Sequence, residues 1–499
     1  MSSVVLIAGQ APSNQFFNRY AGPYRLATEL RANQYSTKVV VGAGYYSKET
    51  LIEMLDRCID NKTLVLGIST TFMVDYAARS TANDENSLCF PNRAIENINA
   101  VICHYKTKFP NLKVVLGGPS CRKKNIDPEF VDLYVEGYAD NLLVDYVKDV
   151  DKQRPIFSKQ FFNKKPFYSN PLSADFKFRD SKIIFEDEDN IIYGETLPLE
   201  ISRGCIFKCK FCSFPLKGRS SRDNSFIKTT HNLKEELERN YDMFGTTKYI
   251  FCDDTFNDSV PKMEALYEMI SSLPFSIEFA AYIRLDLLYA HQDTIDLLKK
   301  MGLRGAFFGI ETLDETSKKN IGKGQSPDKT LRAMELVNQK WKDEISVTCS
   351  FIYGLPGETI QTMDRWTSQY VFGTNLFYKH DLIFQPLTLL GSAATYKTDI
   401  DLDLKKFNYT IKNSKSYALN PQWVNNVTSY DAVKSLATDA NIEAAKTDRS
   451  LQNFSLVTLM GYGLTYDEVK NLSNKRDASK IKAITEAMFN KYKKRCLEQ

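Results

Sequence analysis

Short apolar runs of strand length alternate with helical segments along most of this chain, and that alternation restricts the fold more than any other feature. In the first part the strand candidates are VVLIAG (4–9), KVVVGAG (38–44), TLVLGIST (63–70), LKVVLGG (112–118) and DLYVEG (132–137). Between them lie helical patterns such as GPYRLATELRANQ (22–34), ETLIEMLDRCID (49–60) and PNRAIENINAVICHYKTKF (91–109). Strands joined through helices pair in parallel, and a parallel sheet covered on both faces reads as near-continuous Val, Ile and Leu. These strands end in Gly9, Gly42, Ser69 and Gly117-Gly118. In such sheets ligands sit beyond the carboxyl ends of the strands.

The alternation resumes after a break. LPLEIS (197–202), KYIFCDD (248–254), SIEFAAYI (276–283), GAFFGIE (305–311), ISVTCSFIYG (345–354) and DLIFQPL (381–387) are separated by helical segments such as HNLKEELERNYDMF (231–244). Six such units fit an open (β/α)6 partial barrel with its working face at the carboxyl ends of the strands. The stretch between the two series carries prolines, charges and aromatics and reads as a connection that can add an edge strand. Beyond residue 400 the pattern becomes helical, ending in the charged segment DEVKNLSNKRDASKIKAITEAMFNKYKKRC (467–496). The expected organisation is therefore α/β, with a flavodoxin-like domain over 1–150, a linker over 151–190, a barrel domain over 191–400 and a helical extension over 401–499.

A chain of 499 residues is long enough for this division. Its 65 basic and 61 acidic side chains leave a net +4, too small to indicate a nucleic-acid surface. The opening MSSVVLIAGQAPSN has no basic leader and only a short apolar run, so the expectation is a cytoplasmic protein without a membrane span. Of ten cysteines, Cys58, Cys89, Cys103, Cys121, Cys252, Cys349 and Cys496 are scattered, and most of them read as small buried apolar residues rather than a disulfide framework.

The other three fall together in ISRGCIFKCKFCSF (201–214), in the loop after the first strand of the second series. Cys205, Cys209 and Cys212 are one ligand short of a closed zinc site or of a cluster held by protein alone. The spacing Cys-x3-Cys-x2-Cys, with Phe211 before the last cysteine, resembles the cluster loop of the radical S-adenosylmethionine superfamily, and the resemblance extends over about 195–400. It implies a [4Fe-4S] cluster on three thiolates, its open iron taken by the amine and carboxylate of S-adenosylmethionine. The vacancy is then a substrate position.

The same resemblance gives roles to residues that, taken alone, could serve as caps or surface ion pairs. Asp253 and Asp254 in FCDDTF resemble the acceptor that receives the methionine ammonium, and Arg284 the arginine that meets its carboxylate. Glu311, in a Gly-Ile-Glu followed by a helix and Lys-Gly, resembles the acceptor for the ribose hydroxyls or the amine. Gly354 opens the GLPGET turn, similar to the adenine-side loop; LLGS (389–392) stands where the family writes Pro-Gly-Thr.

The first 150 residues resemble the cobalamin-binding domain of one branch of that superfamily, through VVLGGPS (114–120) and DLYVEGYADNLLVDYV (132–147). Where such domains write Asp-x-His-x-x-Gly after the first strand, this chain has GQAPSNQFFNRYAG (9–22), and its first histidine is His104, within a helix. The resemblance thus implies a corrinoid bound without a histidine ligand. It also implies a reductant of the flavodoxin or ferredoxin type and a small-molecule or peptide substrate. Three functions remain open: a cobalamin-dependent methyltransferase, a cobalamin-free radical enzyme, and an iron-sulfur protein of binding or electron transfer.

Overall fold

In a computed structural model the described residues are 1–9, 16–71, 73, 94–119, 121–123, 125–155, 158–170, 176–214, 222, 224–390, 396–412, 422–446, 453–474 and 477–498. They form two compact units, Met1–Pro198 with Arg239–Thr246 and Ala478–Gln499, and Leu199–Glu238 with Thr247–Asp477. Among the described residues no helix is long and apolar enough to cross a membrane.

The first unit is built on β1 (Val4–Ala8), β2 (Thr37–Val40), β3 (Val65–Ser69), β4 (Lys113–Gly117), β5 (Leu133–Gly137), β6 (Gln160–Phe162) and β7 (Lys165–Asn170), in the order β2-β1-β3-β4-β5-β7-β6. All pairs are parallel except β6 with β7. Because β1 lies between β2 and β3, the winding direction reverses there, and the crevice at such a switch point is where doubly wound sheets take their ligands. Every residue of β1 is buried, as continuous Val-Val-Leu-Ile-Ala requires. The segment after residue 150 supplies β7, which pairs with β5 through Tyr134 and Phe167, and β6 completes that edge.

The helix Ala478–Glu498 belongs to this unit. Phe489 stacks on Tyr45 at 3.6 Å and meets Phe17 edge-on at 5.3 Å, while Tyr46 Oη donates to the Phe489 carbonyl at 2.6 Å. Beside Tyr492 the Arg19 guanidinium is buried, paired with Glu195 and donating to Tyr24 Oη and to the Asp189 and Asn190 carbonyls. Full partnering is what makes a buried charge tolerable there.

The second unit is a six-stranded sheet of β8 (Leu197–Leu199), β9 (Lys248–Phe251), β10 (Glu278–Ile283), β11 (Leu303–Glu311), β12 (Ser346–Tyr353) and β13 (Asp381–Pro386), in sequential order. Helices cover one face, where Trp341 stacks on Phe308 at 5.8 Å and Trp366 lies 5.6 Å from Phe351. Across the other face runs the helix Asn453–Gly461, all nine of its residues buried against β9 to β12. Its Asn453 backbone N–H donates to Thr348 Oγ1, and Gly305 leaves it room: a Cβ there would stand 2.7 Å from the Asn453 carbonyl oxygen. An apolar helix without a polar face belongs in such a position.

Candidate functional site

The three grouped cysteines lie in the loop after β8. Cys205 is buried and Cys209 and Cys212 half-buried. Cys205 Sγ is 3.3 Å from Thr255 Oγ1, and a turn brings the Cys212 N–H to the Cys209 carbonyl at 3.1 Å. The loop is gripped through Lys210, whose N–H donates to the Ile321 carbonyl and whose carbonyl accepts from the Ile400 N–H. Burial pushes the thiols of Cys205 and Cys212 up, the latter to about 12. Coordination to iron is what makes a thiolate stable in such surroundings. Among the described residues no three His, Cys, Asp or Glu side chains are gathered to hold a single metal ion. A cluster does not ask for that, since each thiolate binds a different iron.

The expected acceptors at the strand ends separate into different roles. Asp253 is fully buried, its oxygens taking Ser202 Oγ at 2.5 Å and the Ile201 N–H at 3.2 Å, so it ties the β9 end to the β8 end. Asp254 is half-buried and close enough to act electrostatically on both Cys205 and Cys212. Arg284 is clasped by Asp286 at 3.0 and 2.5 Å and faces Cys209 Sγ at 3.7 Å, with its guanidinium 3.9 Å from the Phe207 ring centre. Phe211 lies 5.9 Å from the Lys323 ammonium.

Glu311 ends β11 just after a bulge between Gly309 and Glu311 in its pairing with β12. Its φ of +68° is a conformation that residues other than glycine adopt at a cost, typically of about 1–3 kcal/mol. The bulge turns the carboxylate back over the strand, where Lys323 Nζ holds Oε1 at 2.7 Å. Gly309 makes the space: a Cβ there would stand 2.3 Å from Glu311 Oε1 and 3.0 Å from Lys323 Nζ.

The GLPGET turn is organised from within by Glu358. Its Oε2 accepts the Gly354 and Leu355 N–H groups, each at 3.0 Å, and its Oε1 the Thr312 hydroxyl at 2.5 Å. The Gly354 carbonyl accepts from Tyr409 Oη at 2.6 Å. Burial pushes the Glu358 carboxyl up to about 8, against the pull of its three donors. In the unfolded chain it titrates near about 4.3, so folding takes up a proton between these values. The stability it contributes is complete below the unfolded value and is lost as pH rises through about 8. Thermal melts between about pH 5 and pH 9 should therefore show the melting temperature falling with pH, and a flatter profile in Glu358→Gln. Equal slopes in the two proteins would count against this assignment.

Toward the carboxyl ends of the strands the face crossed by Asn453–Gly461 stays open. Ile250, Cys252, Tyr282, Phe307, Ile352 and Gln385 reach solvent, whereas Phe251, Ile283, Phe308, Phe351 and Phe384, the alternate residues, are buried. Tyr282 is 40% exposed and Cys252 is exposed. Tyr282 meets Phe307 at 5.0 Å and Phe454 at 4.8 Å, so an aromatic group stands on this open face.

In the first unit, at the carboxyl ends of β3 and β4, Gly118 has φ +120° and stands against Thr70 and Thr71, whose hydroxyls a Cβ would approach to 3.1 and 3.0 Å. Residues 10–14 of the GQAPSN stretch lie outside the described residues, as do Gly391 and Ser392. His104, the single histidine of this unit, is on the helix Ala94–Lys108, about 15 Å along it from its first residue.

Sequence reasoning did not single out Thr255, Phe207, Asp286 or Gly309. Lys323 was visible only as part of the Lys-Gly after Glu311.

Residues 199–367 match the family model of the radical SAM superfamily. An uncharacterized methyltransferase of Pyrococcus horikoshii is 28% identical over 177 residues, 35% of this chain and 36% of the relative. The bacteriochlorophyllide d C-8(2)-methyltransferase of Chlorobaculum tepidum is 21% identical over 313 residues, 61% of this chain and 65% of that protein. The first of these alignments thus spans about a third of its curated relative. Among solved structures, the radical S-adenosylmethionine methyltransferase TsrM from Kitasatospora setae, with cobalamin and a [4Fe-4S] cluster bound, superposes with a TM-score of 0.65 at 13% identity, over 98% of this chain and 100% of that one. At that identity the likeness establishes a shared fold.

Proposed function

We propose, from the membership of residues 199–367 in the radical SAM superfamily, that this protein is a radical enzyme binding a [4Fe-4S] cluster and S-adenosylmethionine, and that it transfers a methyl group with the help of a corrinoid. When bound, the cluster supplies one electron to the sulfonium and so releases a 5'-deoxyadenosyl radical. The observation that carries the reading is the meeting, at one set of strand ends, of a three-cysteine loop with Asp254, Arg284 and the strained Glu311. Cys205, Cys209 and Cys212 hold the cluster. Asp254 accepts from the methionine ammonium, Arg284 stands toward its carboxylate, and Glu311 accepts from the amine or the ribose. Asp253 supports this set by fixing the strand ends rather than by touching the cosubstrate. Gly354 presents backbone to the adenine side.

The open sheet face that carries Tyr282, Phe307 and Phe454 receives the substrate. The aromatic rings there offer an apolar surface, so the part of the substrate that lies on them is apolar. Gly118 at the carboxyl end of β4, with no side chain and beside the Thr70 and Thr71 hydroxyls, suits close approach of a flat macrocycle to the backbone there. When bound, cobalamin carries the methyl group. His104, the single histidine of the first unit, lies well along the helix Ala94–Lys108, so that unit supplies it no histidine ligand. The reductant is a protein of flavodoxin or ferredoxin type, and the location the cytoplasm.

Two measurements on anaerobically reconstituted protein test the proposal. Reduced protein should convert S-adenosylmethionine slowly to 5'-deoxyadenosine or methylate the bound corrinoid, and the Co(II) form should lack nitrogen hyperfine splitting from a protein ligand. A loaded, reduced cluster that gives neither product, with a spectrum unmoved by S-adenosylmethionine, would defeat the radical reading. Protein that forms 5'-deoxyadenosine but binds no corrinoid would select the cobalamin-free enzyme instead.

A further inference from the structure

We infer that Arg284, anchored by Asp286, sets the reduction potential of the cluster through Cys209; the inference rests on the proposed function above. The Arg284 backbone N–H donates to Asn257 Oδ1 at 2.8 Å, and its carbonyl accepts from Asn257 Nδ2 at 3.0 Å. The side chain, 11% exposed, gives Nε and Nη2 to the two oxygens of Asp286, at 3.0 and 2.5 Å. The ring centre of Phe207, from the cysteine loop itself, lies 3.9 Å from the central carbon of the guanidinium. These contacts leave Nη1 aimed at Cys209 Sγ, 3.7 Å away. Lys323, a further cation near this loop, is directed instead at Glu311.

A clasped arginine on a cysteine sulfur has a definite electrochemical consequence. Reduction adds one electron to the cluster and breaks no bond, so the more negative product gains most from a nearby N–H donor and positive charge. Hydrogen bonds to sulfur and net charge are among the terms that set the potentials of such clusters. Arg284 therefore raises the potential, and the Asp286 carboxylate, one side chain further out, lowers it while fixing the direction of Nη1. Arg284 is a positioning and tuning residue in this role, acting on the thiolate and not on the reacting atoms.

The test is a redox titration of the reconstituted full-length protein without S-adenosylmethionine. Titanium(III) citrate serves as one-electron donor, and the reduced cluster is followed by electron paramagnetic resonance and visible absorbance. Arg284→Gln should move the midpoint to more negative potential, Asp286→Asn to more positive potential, and Arg284→Lys should fall between wild type and Arg284→Gln. Loosened packing alone gives the opposed variants no reason to differ in sign. Shifts in the same direction, or no shift in either, would overturn the inference. Should Arg284→Gln assemble no cluster, Arg284→Lys and Asp286→Asn decide by the same opposition of signs. Wild-type protein that takes up no cluster would refute the proposed function itself, whereas a loaded wild type with unmoved variant potentials would refute only this inference.

Discussion

Replacing Cys209 by alanine is expected to abolish the iron-sulfur chromophore of the reconstituted protein while leaving the fold in place. Cys209 is only half-buried, and the loop that carries it is anchored by its neighbour Lys210, through backbone bonds to Ile321 and Ile400. The substitution therefore removes a ligand without opening a core. A cluster on three thiolates has no spare protein ligand, so the loss should be complete rather than partial. Cys58→Ala is the control: its thiol is buried and donates to the Leu55 carbonyl, in the first unit, and cluster content should stay at the wild-type level. Iron and sulfide analysis, with the visible spectrum, reads both variants. Wild-type iron content in Cys209→Ala, or recovery of tightly bound zinc and no iron in the parent, would remove the basis of the proposed function.

A second large effect is expected from a single methyl group. Gly309→Ala places a Cβ where Glu311 Oε1 now lies, 2.3 Å from the ideal Cβ position, and crowds Lys323 Nζ. The backbone at Gly309 is not left-handed, so alanine is tolerated there conformationally, and the clash falls on the carboxylate. Misplacing a positioning group by about 1 Å can cost on the order of 100-fold in rate. A loss of that order in 5'-deoxyadenosine formation is expected, with cluster content unchanged. Glu311→Gln, which keeps the shape and removes the charge, should weaken S-adenosylmethionine binding in the same direction. Normal turnover in Gly309→Ala would show that Glu311 does not face the cosubstrate.

The first prediction depends on contacts between residues distant in the chain, Lys210 with Ile321 and Ile400, and the second on a local bulge that brings Glu311 back over Gly309. The α/β class, the two series of strands that pair largely in parallel and the position of the cysteine loop after β8 were legible because strand and helix periodicities are local, set by which side chains face a covered surface. Legible for the same reason was the placing of Asp254, Arg284 and Glu311 at strand ends. Sequence did not separate Asp253 from Asp254: strand parity points one toward Ser202 and leaves the other half-buried beside the cysteines, and parity is fixed only once the sheet is covered. The pairing of Lys323 with Glu311, the clasp of Asp286 on Arg284 and the placing of Phe207 against it follow from a bulge and two loops meeting. The apolar helix Asn453–Gly461 carries no signal that it will cross β9 to β12, and the amphipathic helix Ala478–Glu498 none that it will pack with the first unit. Hydrophobic burial is non-directional, so a buried face says that a partner exists without saying which one, and that choice is made only by the chain as a whole.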